Sequence, residues 1–267
     1  MSKTVRDDLE RDVTFRFPPR RIVCLCPCLT ETLFALGLDK QVVGRTRYCI
    51  HPAQRVPSVT VVGGTRDVDI DHVRALRPDL VIAAKEENPQ QVVELLADAV
   101  PAFVCDVTDY ESALRTITNL GNLTDRVRQA DALVRRIRTA FAELQPKTTR
   151  RVAYLVWREP YMAAGRDTYI SALLEKCSLE NVCKALPARY PEVTIESLRR
   201  LTPTWILLSS EPFPFNESHS AELAGQIPTA QIVRVDGEMF GWYGNRMLAA
   251  AEYFRKLIRR LDAPGDR

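Results

Sequence analysis

Most signatures of dedicated chemistry are missing from this sequence. No apolar run approaches the roughly 20 residues needed to cross a bilayer, so membrane insertion is not expected. The 267 residues include three histidines and 11 glycines. They contain no G-x-S-x-G nucleophile elbow, no Walker loop and no G-x-G-x-x-G dinucleotide fingerprint. The adjacent glycines of "VVGGTRDV" need only a turn. Charge of one sign is missing too: 37 basic and 34 acidic side chains leave a net charge of +3. A balanced surface gives no concentrated basic face for nucleic acid. The Arg-rich run "RVRQADALVRRIRTAF" alternates with apolar residues at helical spacing and reads as a solvated helix face. The start, "MSKTVRDDLERDVTF", is charged and has no apolar centre, unlike a secretory signal. The expectation is therefore a cytoplasmic protein, or a periplasmic one if an export signal has been removed. Seven cysteines are an odd and mostly scattered set, which favours reduced thiols over a disulfide framework.

What is present is a βα rhythm. "RIVCLC" leads into "TETLFALGL", where Thr30 is positioned to cap a helix and Gly37 to close it. "QVVGRT", "DLVIAA" and "AFVCDV" follow as further strands, separated by helical patterns. From about Thr124 to Gln145 one long helical pattern runs without Gly or Pro, and then "RVAYLVW", "TWILLSS" and "QIVRVD" resume the rhythm. The fold class expected is α/β, with parallel sheets. The divisions are an N-terminal α/β lobe over 1–122, a connecting helix over 123–147 and a C-terminal α/β lobe over 148–267.

An internal echo supports two similar lobes. "VDIDHVRALRPDLVI" from Val68 and "VTIESLRRLTPTWIL" from Val193 stand 125 residues apart. Each copy has an acidic residue opening a short helix, Asp71 or Glu196, then an apolar face, a proline break and a buried strand.

In open α/β sheets ligands gather beyond the carboxyl ends of the strands. The residues following each strand are therefore the candidates for a ligand cleft between the lobes. They are Cys28; Tyr48, Cys49 and His51; Glu87 and Asn88; Trp157, Arg158 and Tyr161; Glu211; and Trp242, Tyr243 and Arg246. Aromatic residues make up only 7% of the chain, yet two of the three tryptophans fall in these loops. Aromatics mixed with Arg and Glu describe a pocket for a large, flat, partly polar molecule.

The run "CLCPC" raises its own question. At least one of Cys24 and Cys26, at the end of a buried strand, reads as part of the packed interior, where cysteine behaves as a small hydrophobe. Cys28, past Pro27 at a helix N-terminus, is placed for a lowered thiol pKa. With Cys49 and His51 it offers two sulfurs and an imidazole to a metal ion. His51 alone is the natural axial ligand for a metal-bearing macrocycle. Cys105, Cys177 and Cys183 read as core residues.

"RIVCLCPCLTETLFALGL", "VVGRTRYCIHP", "IDHVRALRPDLVIA" and "TIESLRRLTPTWIL" together resemble the helical-backbone class of periplasmic substrate-binding proteins. Its members carry vitamin B12, ferric siderophores or haem to ABC importers, and the chain is most similar to the vitamin B12 and ferric-siderophore binders. The resemblance covers nearly the whole chain after about Arg20. It implies two Rossmann-like lobes with mostly parallel central sheets, joined by one long helix that limits hinge motion. It further implies that Tyr48 contacts a corrin, that Tyr190 takes the place of a pocket tryptophan, and that Asp71 and Glu196 dock onto arginines of the transporter. Thr65 and Ala84 stand where vitamin B12 binders have tryptophans, and Cys28, Cys49 and His51 depart from the family pattern.

The function expected is therefore non-catalytic binding of a corrinoid or related metal chelate, haem and ferric chelates included, in partnership with an ABC importer. The protein would act as a monomer with no cofactor required. The alternatives are a transition-metal binder using Cys28, Cys49 and His51, and an enzyme on the same scaffold.

Overall fold

The computed structural model describes residues 1–146 and 148–262. Lys147, the last residue of the expected connecting stretch, and residues 263–267 of the expected second lobe lie outside the described residues. The chain packs as two compact units. Among the described residues the first holds 1–107, 111–136 and 243–246, and the second holds 108–110, 137–242 and 247–262.

The first unit opens with an antiparallel hairpin, β1 (Ser2–Arg6) and β2 (Asp12–Arg16), which the sequence reading did not anticipate. Its tight bend is organised by Asp7, whose buried carboxylate accepts from the Leu9 and Arg11 amides and from the Arg11 guanidinium. The βα rhythm then follows as β3 (Ile22–Cys24), α1 (Pro27–Ala35), β4 (Val42–Arg45), β5 (Thr60–Val61), α2 (Ile70–Ala75), β6 (Leu80–Ala84), α3 (Gln90–Ala97) and β7 (Ala102–Cys105). The strands form one parallel sheet in the order β5-β4-β3-β6-β7. Every residue of β3, β6 and β7 is buried, as expected for a parallel sheet covered on both faces.

Two helices follow in series, α4 (Tyr110–Thr124) and α5 (Val127–Ala142). The helix expected from Thr124 to Gln145 is thus shorter at both ends. Asp125 adopts a left-handed φ of 59° and interrupts the ladder without any Gly or Pro to announce it. Gly121 makes the bend possible: a Cβ there would come within 2.5 Å of the Ala130 Cβ and 3.2 Å of the Arg126 carbonyl oxygen. The division between units falls inside α5, after Arg136.

The second unit carries β8 (Arg150–Trp157), β9 (Met162–Ala163), α6 (Tyr169–Lys176), β10 (Leu179–Asn181), α7 (Ile195–Leu201), β11 (Trp205–Ser209), α8 (Glu217–Gln226), β12 (Gln231–Val235), α9 (Gly237–Gly241) and α10 (Met247–Asp262). Its parallel sheet has the order β10-β8-β11-β12, with β9 antiparallel on β8. The apolar core includes Leu155, Ile206, Leu208, Leu198 and Phe215.

The sequence echo extends to backbone detail. Arg77 and Thr202, 125 residues apart, both leave their helices in the left-handed region at φ 47°. The Arg21 guanidinium donates to the Leu76 carbonyl at 2.6 Å, and that of Arg151 donates to the Leu201 carbonyl at 2.8 Å. The Asp79 amide donates to the Arg21 carbonyl, and the Thr204 amide to the Arg151 carbonyl, each at 2.8 Å. Generic βα repetition fixes hydrophobic period, not paired arginine clamps on equivalent carbonyls.

Gly121→Val is expected to lower unfolding stability by about 1–3 kcal/mol, the usual cost of forcing volume into a packed contact. Urea denaturation followed by circular dichroism measures it; an unchanged midpoint would mean that the α4–α5 contact yields freely.

Candidate ligand-contacting loops

In each sheet the chain adds strands first to one side and then to the other. This leaves a switch point between β3 and β6 in the first unit and between β8 and β11 in the second. Crevices at such points, beyond the carboxyl ends, are where α/β sheets bind ligands.

In the first unit Asn88 organises the switch point. Its Oδ1 accepts from the Ala84 amide at 2.9 Å, and its Nδ2 donates to the carbonyls of Thr65 (2.8 Å) and Leu25 (3.4 Å). Asn88 is 3% exposed, so the expected ligand contact is instead a buried strut. Glu87 beside it faces solvent at its edge, while the protein crowded around its carboxyl raises its pKa above the ordinary glutamate value. Tyr48, beyond β4, is 53% exposed with the Arg47 guanidinium over its ring, and Arg47 also grips Asp67. Tyr48 is therefore presented outward.

The cysteines are placed otherwise. Strand β3 ends at Cys24, Cys26 caps α1, and Pro27 is its first residue. Thr30 therefore does not cap the helix; it lies inside it and donates to the Cys26 carbonyl at 3.0 Å. Cys28 is 5% exposed, and burial pushes its thiol well above the ordinary value, overriding the helix dipole expected to lower it. Cys49 is fully buried, with its sulfur 3.2 Å from the hydroxyls of both Thr30 and Thr46. Among the described residues no group of three or more His, Cys, Asp and Glu side chains is arranged to hold a metal ion. The Cys28, Cys49 and His51 metal site is thus not formed, because packing turns the Cys49 sulfur toward threonines. Cys105 is buried, and burial pushes the Cys177 and Cys183 thiols up to about 12, as core cysteines require.

Two further candidates are interior. Tyr243 is 8% exposed with its hydroxyl 3.8 Å from the Cys26 sulfur. Arg246 pairs with Glu31 at 3.0 Å, both side chains largely covered, while the Asn245 amide donates to the Thr32 hydroxyl. These residues fasten segment 243–246 to α1 within the first unit. They do not line an open surface.

In the second unit the loops after β8 and β11 build an aromatic cluster. Trp157, 41% exposed, meets Phe213 edge-on at 5.7 Å. Phe213 meets Phe215 at 4.8 Å, and Tyr161 stacks on Phe215 at 6.5 Å with planes 8° apart. His219 packs against both phenylalanines. Arg158 is held by Glu159 and Glu222. Glu211 accepts from the Trp242 indole at 2.9 Å, orienting a half-buried ring. Tyr190 is half-buried in the loop that precedes α7. From the sequence, Phe213 and Phe215 fall in the loop after β11 with Glu211, but only Glu211 is expected there as a ligand contact.

Two α/β units with switch-point loops, one presenting an exposed tyrosine and the other an aromatic cluster, are an architecture suited to holding a ligand. The chain belongs to the periplasmic binding protein family, whose sequence profile matches residues 22–230. It is similar to a vitamin B12-binding protein of Pectobacterium carotovorum subsp. carotovorum, 24% identical over 92% of this chain and 91% of that one. Among solved structures it resembles the periplasmic vitamin B12 binding protein BtuF of Vibrio cholerae, with a TM-score of 0.76, 21% identity and coverage of 93% of this chain and 100% of that one. It also resembles the ABC-type Fe3+-hydroxamate transport protein of Saccharomonospora viridis, with a TM-score of 0.76, 20% identity and coverage of 98% and 99%. The cytoplasmic expectation finds no support in this set, which favours the periplasmic alternative.

Burial raises the thiol pKa values of Cys24, Cys28, Cys49, Cys105, Cys177 and Cys183 and so keeps these side chains neutral near pH 7. In the native protein fewer than seven thiols are expected to react with a colorimetric disulfide reagent at pH 8. The Cys28 rate should climb about tenfold per pH unit as thiolate forms, and denaturant should release all seven. A Cys28 rate that plateaus near neutrality would show an activated thiol and overturn this assignment.

Proposed function

We propose that this chain is a non-catalytic substrate-binding protein that delivers a metal-chelate ligand, a corrinoid or a ferric chelate, to an ABC importer outside the cytoplasmic membrane. The family match carries the class. The aromatic surface presented by Trp157 carries the ligand chemistry: an exposed ring, backed by half-buried Phe213 and Tyr161 and by buried Phe215, offers flat, rigid apolar area, and Arg158 lies beside it for a polar edge. Tyr48 is the corresponding exposed ring of the first unit. Thr65 and Ala84, both buried, replace the tryptophans of the B12-binding pattern, so the contacts differ from those of a B12 binder at these positions. The proposal needs no resident cofactor and no second copy of the chain.

Asp71 and Glu196 remain candidates for importer docking. Both are exposed in the first turns of the echoing helices α2 and α7, whose N-caps are Asp69 and Thr194. The neighbouring Arg74 contacts Asp71 at 3.4 Å, an exposed pair that contributes little to stability and leaves the carboxylate available.

Visible-absorbance titration with cyanocobalamin, haemin and ferric hydroxamates identifies the ligand class; no spectral change with any of them would end the reading. Trp157→Ala is expected to weaken binding at least tenfold, about 1.4 kcal/mol, with the fold intact by circular dichroism. Undiminished affinity would remove the aromatic surface from the site. Asp71→Ala and Glu196→Ala are expected to leave ligand affinity unchanged while lowering uptake by a reconstituted importer. Equal uptake by both variants would exclude them from docking.

A further inference from the structure

The sulfurs of Cys26 and Cys28 lie 3.3 Å apart. On a continuing strand residues two apart share a face but stand about 7 Å apart, and the residue between these two is what draws their sulfurs closer. A residue before proline is driven to extended geometry, and Cys26 has φ −125° and ψ 129°. Pro27 is itself locked near helical φ and starts α1. The chain therefore bends between the two cysteines and brings their sulfurs together. Two residues apart, their Cα atoms are separated by at most about 7 Å, the limit that a disulfide tolerates. The neighbouring thiols are otherwise engaged: Cys24 points its sulfur to the Cys26 carbonyl, and Cys49 contacts two threonine hydroxyls. Both Cys26 and Cys28 are free thiols in this structure. Cys28, at 5% exposure against 1% for Cys26, is the more open residue of the pair.

We propose that Cys26 and Cys28 are a modification site, a dithiol that closes to an intramolecular disulfide when a small-molecule disulfide serves as oxidant. The Cys28 thiolate attacks one sulfur of the oxidant R–S–S–R, forming a mixed disulfide and expelling RS⁻, which takes up a proton. The Cys26 thiolate then attacks the Cys28 sulfur, and the second RS⁻ leaves and is protonated. Two electrons pass from the cysteine pair to the oxidant, and the two thiol protons end on two RSH molecules. Pro27 holds Cys26 within reach of the mixed disulfide, so the second step is intramolecular and fast relative to capture by another molecule. The site stands apart from the ligand reading, since neither sulfur belongs to the aromatic surface.

The test incubates the full chain with glutathione disulfide at mildly alkaline pH, alkylates the remaining thiols in denaturant without reductant, and maps the tryptic peptide from Ile22 to Lys40 by mass spectrometry. The expected product is that peptide lighter by two hydrogens, alkylated once at Cys24, silent to backbone fragmentation between Cys26 and Cys28, and restored by dithiothreitol. The variant C26S is expected to accumulate glutathione on Cys28. Alkylation of all three cysteines after prolonged oxidation, a link through Cys24 or to a second chain, or a persistent glutathione adduct on Cys28 in the unaltered chain would each overturn the proposal. Because the decisive measurement is made on the unaltered chain, a folding defect in the variant does not decide the outcome.

Discussion

One buried amide holds the binding end of the first unit together. Parallel strands that grow outward in two directions leave carbonyls and amides unpaired where the directions diverge, and unpaired buried backbone groups are costly. Asn88 answers this with both halves of its side chain. It accepts from the end of β6 and donates to Leu25 beyond β3 and to Thr65 in the loop after β5. Three loops are thereby fixed to one another, and Cys26, Cys28 and Glu87 take their places from that joint. A serine has a single donor for the two carbonyls, and an ionised aspartate has none.

The second unit solves the same problem with a relay. The Tyr154 hydroxyl donates to Ser209 at 3.0 Å, Ser209 donates to the Glu211 carbonyl at 2.5 Å, and the Glu211 carboxylate receives the Trp242 indole. The supports differ while the scaffolds echo one another, down to matched arginine clamps on Leu76 and Leu201. Such a pairing is what an ancient duplication leaves when the frames are kept and the loops diverge. The rigid part of each unit is shared, and ligand chemistry is written in what was free to change.

Much of the frame was legible before any coordinates. Continuous apolar runs gave β3, β6, β7, β8 and β11, because a strand covered on both faces has no polar alternation to hide it. The hairpin β1–β2 was not legible, because charged residues interrupt its Val5, Val13 and Phe15 pattern and its anchor is a buried aspartate. The α4–α5 break was hidden because Asp125 takes a conformation usually announced by glycine. At the site, Tyr48 and Trp157 were readable as loop aromatics. The packing of Tyr243 and Arg246, expected as ligand contacts, was not legible for a different reason: their partners, Cys26 and Glu31, lie 217 and 215 residues away, and no local pattern encodes such contacts. Cys28 and Cys49 failed similarly, since burial by distant elements decides a thiol's character more than its position on a helix.

The short piece 243–246 has a consequence for how this protein is divided experimentally. It belongs to the first unit, while the chain on either side of it belongs to the second, and residues 108–110 make the opposite excursion. Neither half is therefore one uninterrupted length of polypeptide. A fragment ending at Arg136 would lose the partner of Glu31, the amide that occupies the Thr32 hydroxyl and the ring beside Cys26. Domain truncation, the usual shortcut for two-part proteins, is closed here by the path of the chain itself.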